Sequence, residues 1–439
     1  MNFHHGGSKL RDMHIRKNLI PVAGLMLVCL LVFAVGNSAA SEEKEPAGCQ
    51  YNRGVRAMGM GNAFAAIADD GDAFYYNPAG LAAVSGLRVD LQPLKLIPTE
   101  GLYDELSDIE QFVDDIEAIS DSDEPLEDPA LEDERRRVME RMSSFMTENL
   151  GLDVGAPFRA IIPLHVGDFG VAIGAMSQVC SSSQVHVRRR GLDWDDFVKD
   201  MLDDEIIYHV MAEASYGFGA AVEMPLRPLP VEVSAGFTAR RIQRWQMTDE
   251  DDPMGVEDII SPYGKDEIKG TADDFANRFF DPEDPLDSVM EGKGYGLDAG
   301  VIASMDDIVS FAAVSHNLLG RIKYEDEESR ALERNFGIAA AANLAKVPTP
   351  DIPMLDVIVA AGLDSNSGLD EESDFIDHAR LGLEVIWHVP LLAVSGRIGS
   401  NRGYLTLGAG IQLAVLDLDY AYYGDQGTNW HAFSLNLAF

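Results

Sequence analysis

The chain has 439 residues, of which 34 are lysine or arginine and 73 are aspartate or glutamate, so its formal net charge at pH 7 is −39. Binding to nucleic acid or to anionic head groups draws on clustered basic residues, and this charge balance argues against both as partners. The 3 cysteines are too few for a disulfide framework, and sequence alone leaves open whether Cys49 and Cys180 pair.

The first 40 residues have the composition of a secretory signal peptide. Four basic residues precede the apolar stretch 19–35, and small residues follow it up to Ala40. We expect cleavage near Ala40, which would bring the mature chain to −42 because residues 1–40 hold four basic residues and one acidic residue. A retained signal anchor is the alternative. Since no later apolar run has the length of a spanning helix, strands would have to make any further membrane crossing.

Residues 41–85 are predicted to form a plug. Their central part, 56–81, is rich in glycine and alanine and ends in Asn-Pro-Ala-Gly just before the first predicted strand. Small residues let a backbone lie close to side chains that already fill a lumen, and Pro78 fixes a turn. An ordinary glycine-rich loop of a soluble protein is the alternative.

Residues 86–439 are predicted to form strands. Phe433, Leu435 and Leu437 fall on one face of the last strand and Ser434 and Asn436 on the other, a period of two. Charges confined to one face indicate that this face is wet. Similar patterns place Leu381, Leu383, Val385, Leu405, Leu407 and Ile411 opposite Arg380, Gly382, Glu384, Thr406, Gly408 and Gln412. About fourteen segments of barrel-spanning length are predicted. They begin near residues 86, 155, 168, 206, 230, 294, 308, 333, 355, 378, 391, 403, 416 and 429.

The connections between these strands alternate between short turns and mostly longer, acidic loops, which predicts a barrel with both termini in the periplasm. Two external loops are large. Loop 98–154 shows helical spacing of apolar residues and is expected to hold two amphipathic helices, which either pack on the rim or form a lid. Loop 249–292 is interpreted as a solvated acidic loop, with calcium binding as the alternative, although it lacks the ligand spacing of a calcium loop.

No catalytic or nucleotide-binding motif occurs, so we expect no enzyme activity, no cofactor and no metal. Asp69, Asp70 and Asp72 could suggest a metal site, but a turn that hydrogen-bonds its own backbone explains them at least as well. Arg240 and Arg244 lie near an external strand end. They either form a basic constriction in the lumen or neutralise neighbouring loop carboxylates.

The chain resembles the FadL-like outer-membrane barrels, and the PorV-like branch most closely. Within the plug, the likeness is carried by Gly59, Met60, Gly61, Ala68, Asp69, Asp70, Tyr76, Asn77, Pro78, Ala79 and Gly80. It extends to Leu297-Asp298-Ala299-Gly300, to His316-Asn317-Leu318-Leu319 and to residues 379–439, where the terminal Phe439 resembles the signal read by the outer-membrane assembly machinery. The resemblance implies an all-β transmembrane antiparallel barrel in the outer membrane of a Gram-negative-type cell, surrounded by lipid and lipopolysaccharide.

Two functions follow from this resemblance. In the first, the protein is a porin-like channel for hydrophobic, fatty-acid-like small molecules, and the plug moves to let them pass. Gly59 and Gly61 would then permit the packing of the plug, and Asn77, Pro78 and Ala79 would set its turn. In the second, it is a PorV-like subunit of a secretion system that docks or shuttles protein partners and transports nothing by itself. An outer-membrane phospholipase or protease is a third class, disfavoured because no nucleophile constellation is present.

Overall fold

The computed structural model describes residues 44–45, 54–84, 86–99, 150–166, 169–188, 205–248, 254–255, 289–306, 308–324, 328–346, 354–365, 375–425 and 428–438. The signal-peptide prediction for residues 1–40 and the assembly signal at Phe439 lie outside these residues. Most of the two large external loops, 98–154 and 249–292, lies outside them as well.

Fourteen antiparallel strands form a closed barrel, as the period-two pattern predicts. The last strand pairs with the first, with Phe433 opposite Leu96 and Leu437 opposite Leu91, so that the sheet has no free edge. The strands are β1 (Arg88–Pro98), β2 (Leu150–Val166), β3 (Phe169–Arg188), β4 (Glu205–Pro225), β5 (Val231–Thr248), β6 (Met290–Met305), β7 (Val309–Tyr324), β8 (Asn335–Asn343), β9 (Leu355–Asp364), β10 (Ala379–Val389), β11 (Leu392–Asn401), β12 (Tyr404–Leu413), β13 (Leu416–Asp425) and β14 (Thr428–Ala438).

The strand starts agree closely with the sequence prediction. The largest difference is at β2, which was expected from residue 155 and begins at Leu150. Short pieces of regular structure lie outside the fourteen strands. Besides the helices of the segment inside the barrel, the described residues include the strands Lys44–Glu45, Met254–Gly255 and Arg330–Leu332, the 3₁₀ helix Leu344–Lys346 and the α-helix Phe375–His378. No helix in the described part of the chain is both long enough and apolar enough to cross a membrane.

The two faces of the wall differ in the way that the alternation predicts. Leu405, Leu407 and Ile411 on β12 are exposed, at 54%, 42% and 49%, whereas Thr406 between them is fully buried. On β10, Leu381 is exposed and Glu384 is buried. The outer surface of the barrel is therefore largely aliphatic and aromatic, and polar side chains point inwards, which is the pattern of a barrel whose outside contacts lipid.

The segment inside the barrel is a chain of short helices. It consists of α1 (Val55–Gly59), α2 (Ala73–Tyr76) and a 3₁₀ helix (Pro78–Ala83). Proline is well tolerated at the first position of a helix, where its missing N–H is not needed, and Asn77 caps this helix by accepting a hydrogen bond from Ala79 N. Helix α1 packs against β11–β14, and the 3₁₀ helix packs against β2–β6. We call residues 54–84 the plug.

The outward orientation of β12 gives a first testable prediction. Leu407→Arg would place a charge in the middle of the apolar outer surface and is expected to destabilise the barrel by roughly 2–4 kcal/mol. The matched control is Leu391→Arg. Leu391 is 79% exposed in the turn between β10 and β11, where the same change should cost about 0–1 kcal/mol. Denaturant unfolding in lipid bilayers measures both, and equal costs would contradict the proposed membrane-facing surface.

Candidate functional site: the plug and its contacts with the wall

Wall glycines allow the plug backbone to touch the barrel. A Cβ atom added to Gly236 on β5 would lie 2.4 Å from Pro78 O, and one on Gly300 of β6 would lie 2.0 Å from Asn77 Oδ1. On the other side of the lumen, a Cβ on Gly399 of β11 would lie 2.6 Å from the backbone N of Gly61. Such distances are shorter than any real contact, so these positions accept only glycine while the plug is in place.

The two plug glycines singled out by the sequence lie at this second contact. Gly61 has a φ of +61°, and a side chain there would also meet Ser400 O at 2.5 Å. Gly59 packs against Gly408 of β12, and its carbonyl accepts a hydrogen bond from Thr406 Oγ1 at 3.3 Å. Both glycines therefore lie where the plug backbone comes close to the wall.

Asn77 fixes the turn before the 3₁₀ helix. Its side chain is fully buried; Oδ1 accepts from Ala79 N at 3.1 Å, and Nδ2 donates to Ala65 O at 3.0 Å and to Val301 O at 3.3 Å. One side chain thus joins two parts of the plug to β6. On the other side of this turn, Gly80 lies close to Ala68. A Cβ atom added to Gly80 would be 2.1 Å from Ala68 O, so the turn leaves no room for a side chain there.

An ionic network joins the start of the plug to β10 and β11. Arg56 Nη2 lies 2.7 Å from Glu384 Oε2, and Arg397 Nε lies 2.7 Å from Glu384 Oε1. Arg56 also contacts Asp69 at 2.7 Å and Asp70 at 3.1 Å. Burial lowers the pKa of Arg56, but Asp69 and Glu384 more than offset this, so its pKa lies well above the ordinary value. Arg56 is therefore charged at every physiological pH.

Asp70 and Asp72 both make contacts that hold the plug in place. Asp70 Oδ1 accepts a hydrogen bond from Asp72 N at 2.9 Å, which is the turn that the sequence suggested as an alternative to a metal site. Asp72 forms an ion pair of 2.6 Å with Arg159 of β2. Burial raises the pKa of Asp72 to about 6, although Arg159 acts in the opposite direction. The plug is thus tied to the wall by charge at two places.

Arg240 and Arg244 point into the barrel, and both are buried and paired. Arg240 forms an ion pair with Asp298 and hydrogen-bonds Asn317 Oδ1 at 2.5 Å, and Arg244 lies 2.9 Å from Glu213 Oε2. Their carboxylate partners are on neighbouring strands, not on loops. This pairing favours neutralisation over a basic constriction, although the carboxylates differ from those expected.

Tyr76 connects the plug to β13 through Asn62. Its hydroxyl donates to Asn62 Oδ1 at 2.7 Å, and Asn62 Nδ2 donates to Tyr423 OH at 2.8 Å. The sequence predicted no plug contact for Asn62, Arg56, Glu384 or Arg397. One signal was present, since Glu384 and Arg397 are directly opposite in the β10–β11 register and have opposite charges on the inner face.

Cys180 on β3 forms a disulfide whose partner lies outside the described residues.

Asn77→Ala is expected to loosen the plug. The variant loses three hydrogen bonds, and a contribution of about 0.5–1.5 kcal/mol each gives a loss of roughly 1.5–4.5 kcal/mol. Hydrogen exchange of the backbone amides in residues 54–84 should accelerate while the strand amides remain protected. Asn343→Ala is the control, because Asn343 is the last residue of β8 and its Nδ2 donates a hydrogen bond to Asp356 of the wall. Unchanged exchange in the plug would show that Asn77 does not hold it.

These features define an outer-membrane-type β-barrel that encloses its own N-terminal segment as a plug. The chain belongs to the family described as "F plasmid transfer operon, TraF, protein", whose family model matches residues 74–343, more than half of the sequence. This description does not name the PorV-like branch, and membership in that branch remains a prediction. No curated protein matches the sequence.

Several solved barrels are similar in fold at low sequence identity. A Pseudomonas aeruginosa FadL homologue is 10% identical with a TM-score of 0.39, and the match covers 87% of this chain and 97% of that one. The translocator domain of the autotransporter NalP from Neisseria meningitidis is 11% identical with a TM-score of 0.35, covering 87% and 99%. A mutant of the Rh. blastica porin is 10% identical with a TM-score of 0.28, covering 81% and 99%. At these values the similarity says nothing about function.

Proposed function

We propose that this protein is an outer-membrane channel for hydrophobic small molecules and that the plug controls passage. In this proposal the signal peptide is removed near Ala40, the assembly machinery inserts the barrel, and lipid and lipopolysaccharide surround it. The exposed apolar side chains of the wall support the membrane location. No bond is made or broken, and no cofactor takes part.

The observation that carries the proposal is the way in which the plug is held. Close packing at Gly236 and Gly399 brings backbone into contact with backbone, but the Arg56–Glu384 and Asp72–Arg159 pairs are polar contacts. Water can replace the partner of a polar contact and keep each group hydrogen-bonded, whereas apolar side chains gain no such replacement when they are exposed. Phe64, Phe74 and Leu81 of the plug are buried in an apolar cluster with Ile161 and Ile302 of the wall, so a shift that leaves the wall folded begins at the polar contacts and not at this cluster.

The test is uptake across an outer membrane. A Gram-negative host that lacks its own long-chain fatty acid uptake is given this protein, and entry of a radiolabelled fatty acid is measured. The wild type should restore uptake, and mass spectrometry should find lipid or fatty acid that co-purifies with the barrel. Pro78→Ala, which frees the turn of the plug, should reduce both signals. Gly396→Val is the control, since Gly396 lies on the outer face with no atom within 4 Å of an added Cβ. An empty barrel and no uptake would reject the channel.

A second function is favoured by a different observation. The matching family is described by a transfer operon, which suggests a role within a multi-protein apparatus. We therefore retain the alternative that the barrel docks or shuttles protein partners, as proposed for a PorV-like subunit, and transports nothing alone. Crosslinking in intact cells followed by mass spectrometry separates the two. Stoichiometric protein partners together with a ligand-free barrel would favour docking.

A further inference from the structure

A groove of about 380 Å³ crosses the outer face of the wall from β12 to β1. Its two sides are cross-strand rows of outward-facing side chains. The rows are Ala409, Tyr420 and Phe433 on one side and Ile411, Leu418 and Leu435 on the other. Between the rows the strands show mainly backbone, because Asp419 and Ser434 turn inwards and are only 8% and 6% exposed. Since a methylene group is close in size to a water molecule, which occupies about 30 Å³ in the liquid, the groove has room for about a dozen such groups.

The groove crosses the seam at which the barrel closes. Phe433 of β14 is opposite Leu96 of β1, but the register shifts between Leu435 and Leu437 because β1 has an extra residue beside Pro93. Proline has no N–H, so this part of the ladder also lacks a donor. Fewer hydrogen bonds therefore join the two strands here, and an apolar chain packed across the seam adds contacts where the sheet has the fewest of its own.

A polar pair lies on the same outer face, beside one end of the groove. His431 is two residues before Phe433, towards the end of β14 that the sequence predicts to be external. Its Nδ1 lies 2.9 Å from the hydroxyl of Tyr420, and its ring centre lies 5.5 Å from that of Tyr422. Ionisable side chains that face hydrocarbon are rare and usually have a function, because polar atoms there need partners.

The second ring nitrogen of His431 is available to a ligand. When the Tyr420 hydroxyl donates to Nδ1, the hydrogen of the neutral ring is on Nε2. Nε2 makes no hydrogen bond to any residue in the described part of the chain, and His431 is partly exposed on the lipid side. In an ester-linked lipid, the carbonyl that follows the acyl chain is an acceptor. An N–H donor next to an apolar groove therefore matches the two adjoining parts of such a lipid.

We propose that the groove binds one acyl chain of an ester-linked, zwitterionic phospholipid and that the ester carbonyl accepts a hydrogen bond from His431 Nε2. The chain lies between the two rows, against Phe433 and Ile411, and crosses the seam. Lipopolysaccharide also has ester-linked chains, but its phosphates would face a protein of net charge −39 whose predicted external loops are acidic. The proposal rests on the lipid-facing position of the outer wall and not on the passage of a ligand through the barrel.

The binding test compares two lipids that differ only in their carbonyl groups. The purified protein in detergent micelles is titrated with dipalmitoyl phosphatidylethanolamine or with its dialkyl ether analogue, and native mass spectrometry measures the lipid-bound fraction. The ester lipid is expected to bind about fivefold more tightly, which is the factor that one hydrogen bond of ordinary net strength contributes. Equal affinity for the two lipids would overturn the proposal. Lipopolysaccharide and palmitate serve as competitors, and displacement of the ester lipid by an equal concentration of either would show that the occupant is not a phospholipid.

Variants locate the site. Ala409→Trp blocks the β12 end of the groove and should weaken binding of the ester lipid about tenfold or more. Ala361→Trp is the matched control, because Ala361 is also an exposed alanine but lies on β9, three strands away. His431→Phe keeps an aromatic ring and removes Nε2, so it should abolish the preference for the ester lipid. It also covers the case in which Ala409→Trp does not fold, which heat-modified migration in gels reveals. Undiminished binding in folded Ala409→Trp, or an unchanged preference in His431→Phe, would refute this site.

Lipid binding and fatty acid uptake can fail independently. If the ester lipid binds more tightly than the ether lipid but no fatty acid enters the host cells, the channel function fails and the lipid site stands. If uptake occurs and the two lipids bind equally, the channel stands and the lipid site is refuted.

Discussion

Glu384→Ala is expected to release the start of the plug from the wall and to raise the conductance of the barrel. Glu384 is fully buried and is shared by Arg56 and Arg397. Removing one member of a buried ion pair typically costs about 3–5 kcal/mol, because the remaining charge loses its compensation. Arg397 keeps Asp419 at 2.6 Å, whereas Arg56 keeps only Asp70 and the half-exposed Asp69. The plug end of the network should therefore yield first.

Single-channel recording in planar bilayers measures this effect, together with protease sensitivity of residues 54–84. Glu328→Ala is the control. Glu328 is exposed and lies outside the fourteen strands, and its replacement changes the net charge by the same amount. Glu384→Gln keeps the shape and part of the hydrogen bonding, so its effect should be intermediate. A closed, protease-resistant plug in Glu384→Ala would mean that the packing at the wall glycines holds the plug without help from charge.

The wall could be predicted from the sequence because its signal is local. Strand faces follow from a period of two, and the inner position of Thr406 and the outer position of Leu407 need no knowledge of the partner strand. Closure followed from a physical argument as well, since backbone groups in lipid need internal partners. Gln412 departs from the pattern, because it lies near the turn that ends β12 and is exposed.

The contacts of the plug could not be predicted in the same way. Arg56 and Glu384 are 328 residues apart, and nothing in the neighbourhood of either residue specifies the other. Composition identified a small-residue segment, but the pairing of Gly61 with β11 or of Pro78 with β5 depends on how the plug lies across the lumen. The partners of Arg240 and Arg244 illustrate the same limit, since neutralisation was considered but Asp298 and Glu213 were not identified.

The two kinds of plug contact have different consequences for opening. Ion pairs at Arg56 and Arg159 can be broken one at a time, and water can replace each partner. The glycine contacts act together, because Gly236 and Gly399 touch the plug from different sides of the lumen. A plug that shifts as a unit must leave both surfaces, whereas a local opening beside β7–β10 would leave them intact. A cavity of about 90 Å³, whose lining includes Tyr76, Ala339 and Gly362, lies on that side.

Gly236→Leu is expected to exclude the plug altogether and to give the largest conductance of any variant. The added Cβ would lie 2.4 Å from Pro78 O and 2.7 Å from Ala79 N, and these are backbone atoms that no rotamer change can move. Overpacking of a well-packed core usually costs about 1–3 kcal/mol, and here the whole leucine side chain must be accommodated. The wall has its own closed ladder of hydrogen bonds, so the strain is relieved by movement of the plug and not by opening of the sheet.

Three measurements on Gly236→Leu distinguish this outcome from misfolding. Heat-modified migration should show a folded barrel, planar-bilayer recording should show a continuously open state, and protease should cleave within residues 54–84 while the strands survive. Gly396→Leu makes the same chemical change on the outer face, where an added Cβ meets nothing within 4 Å, and should behave as wild type. If Gly236→Leu folds and stays closed, the plug can yield locally near Pro78 without leaving the lumen. Opening would then need only the part of the plug beside β7–β10 to move, and the conductance of Glu384→Ala would exceed that of Gly236→Leu.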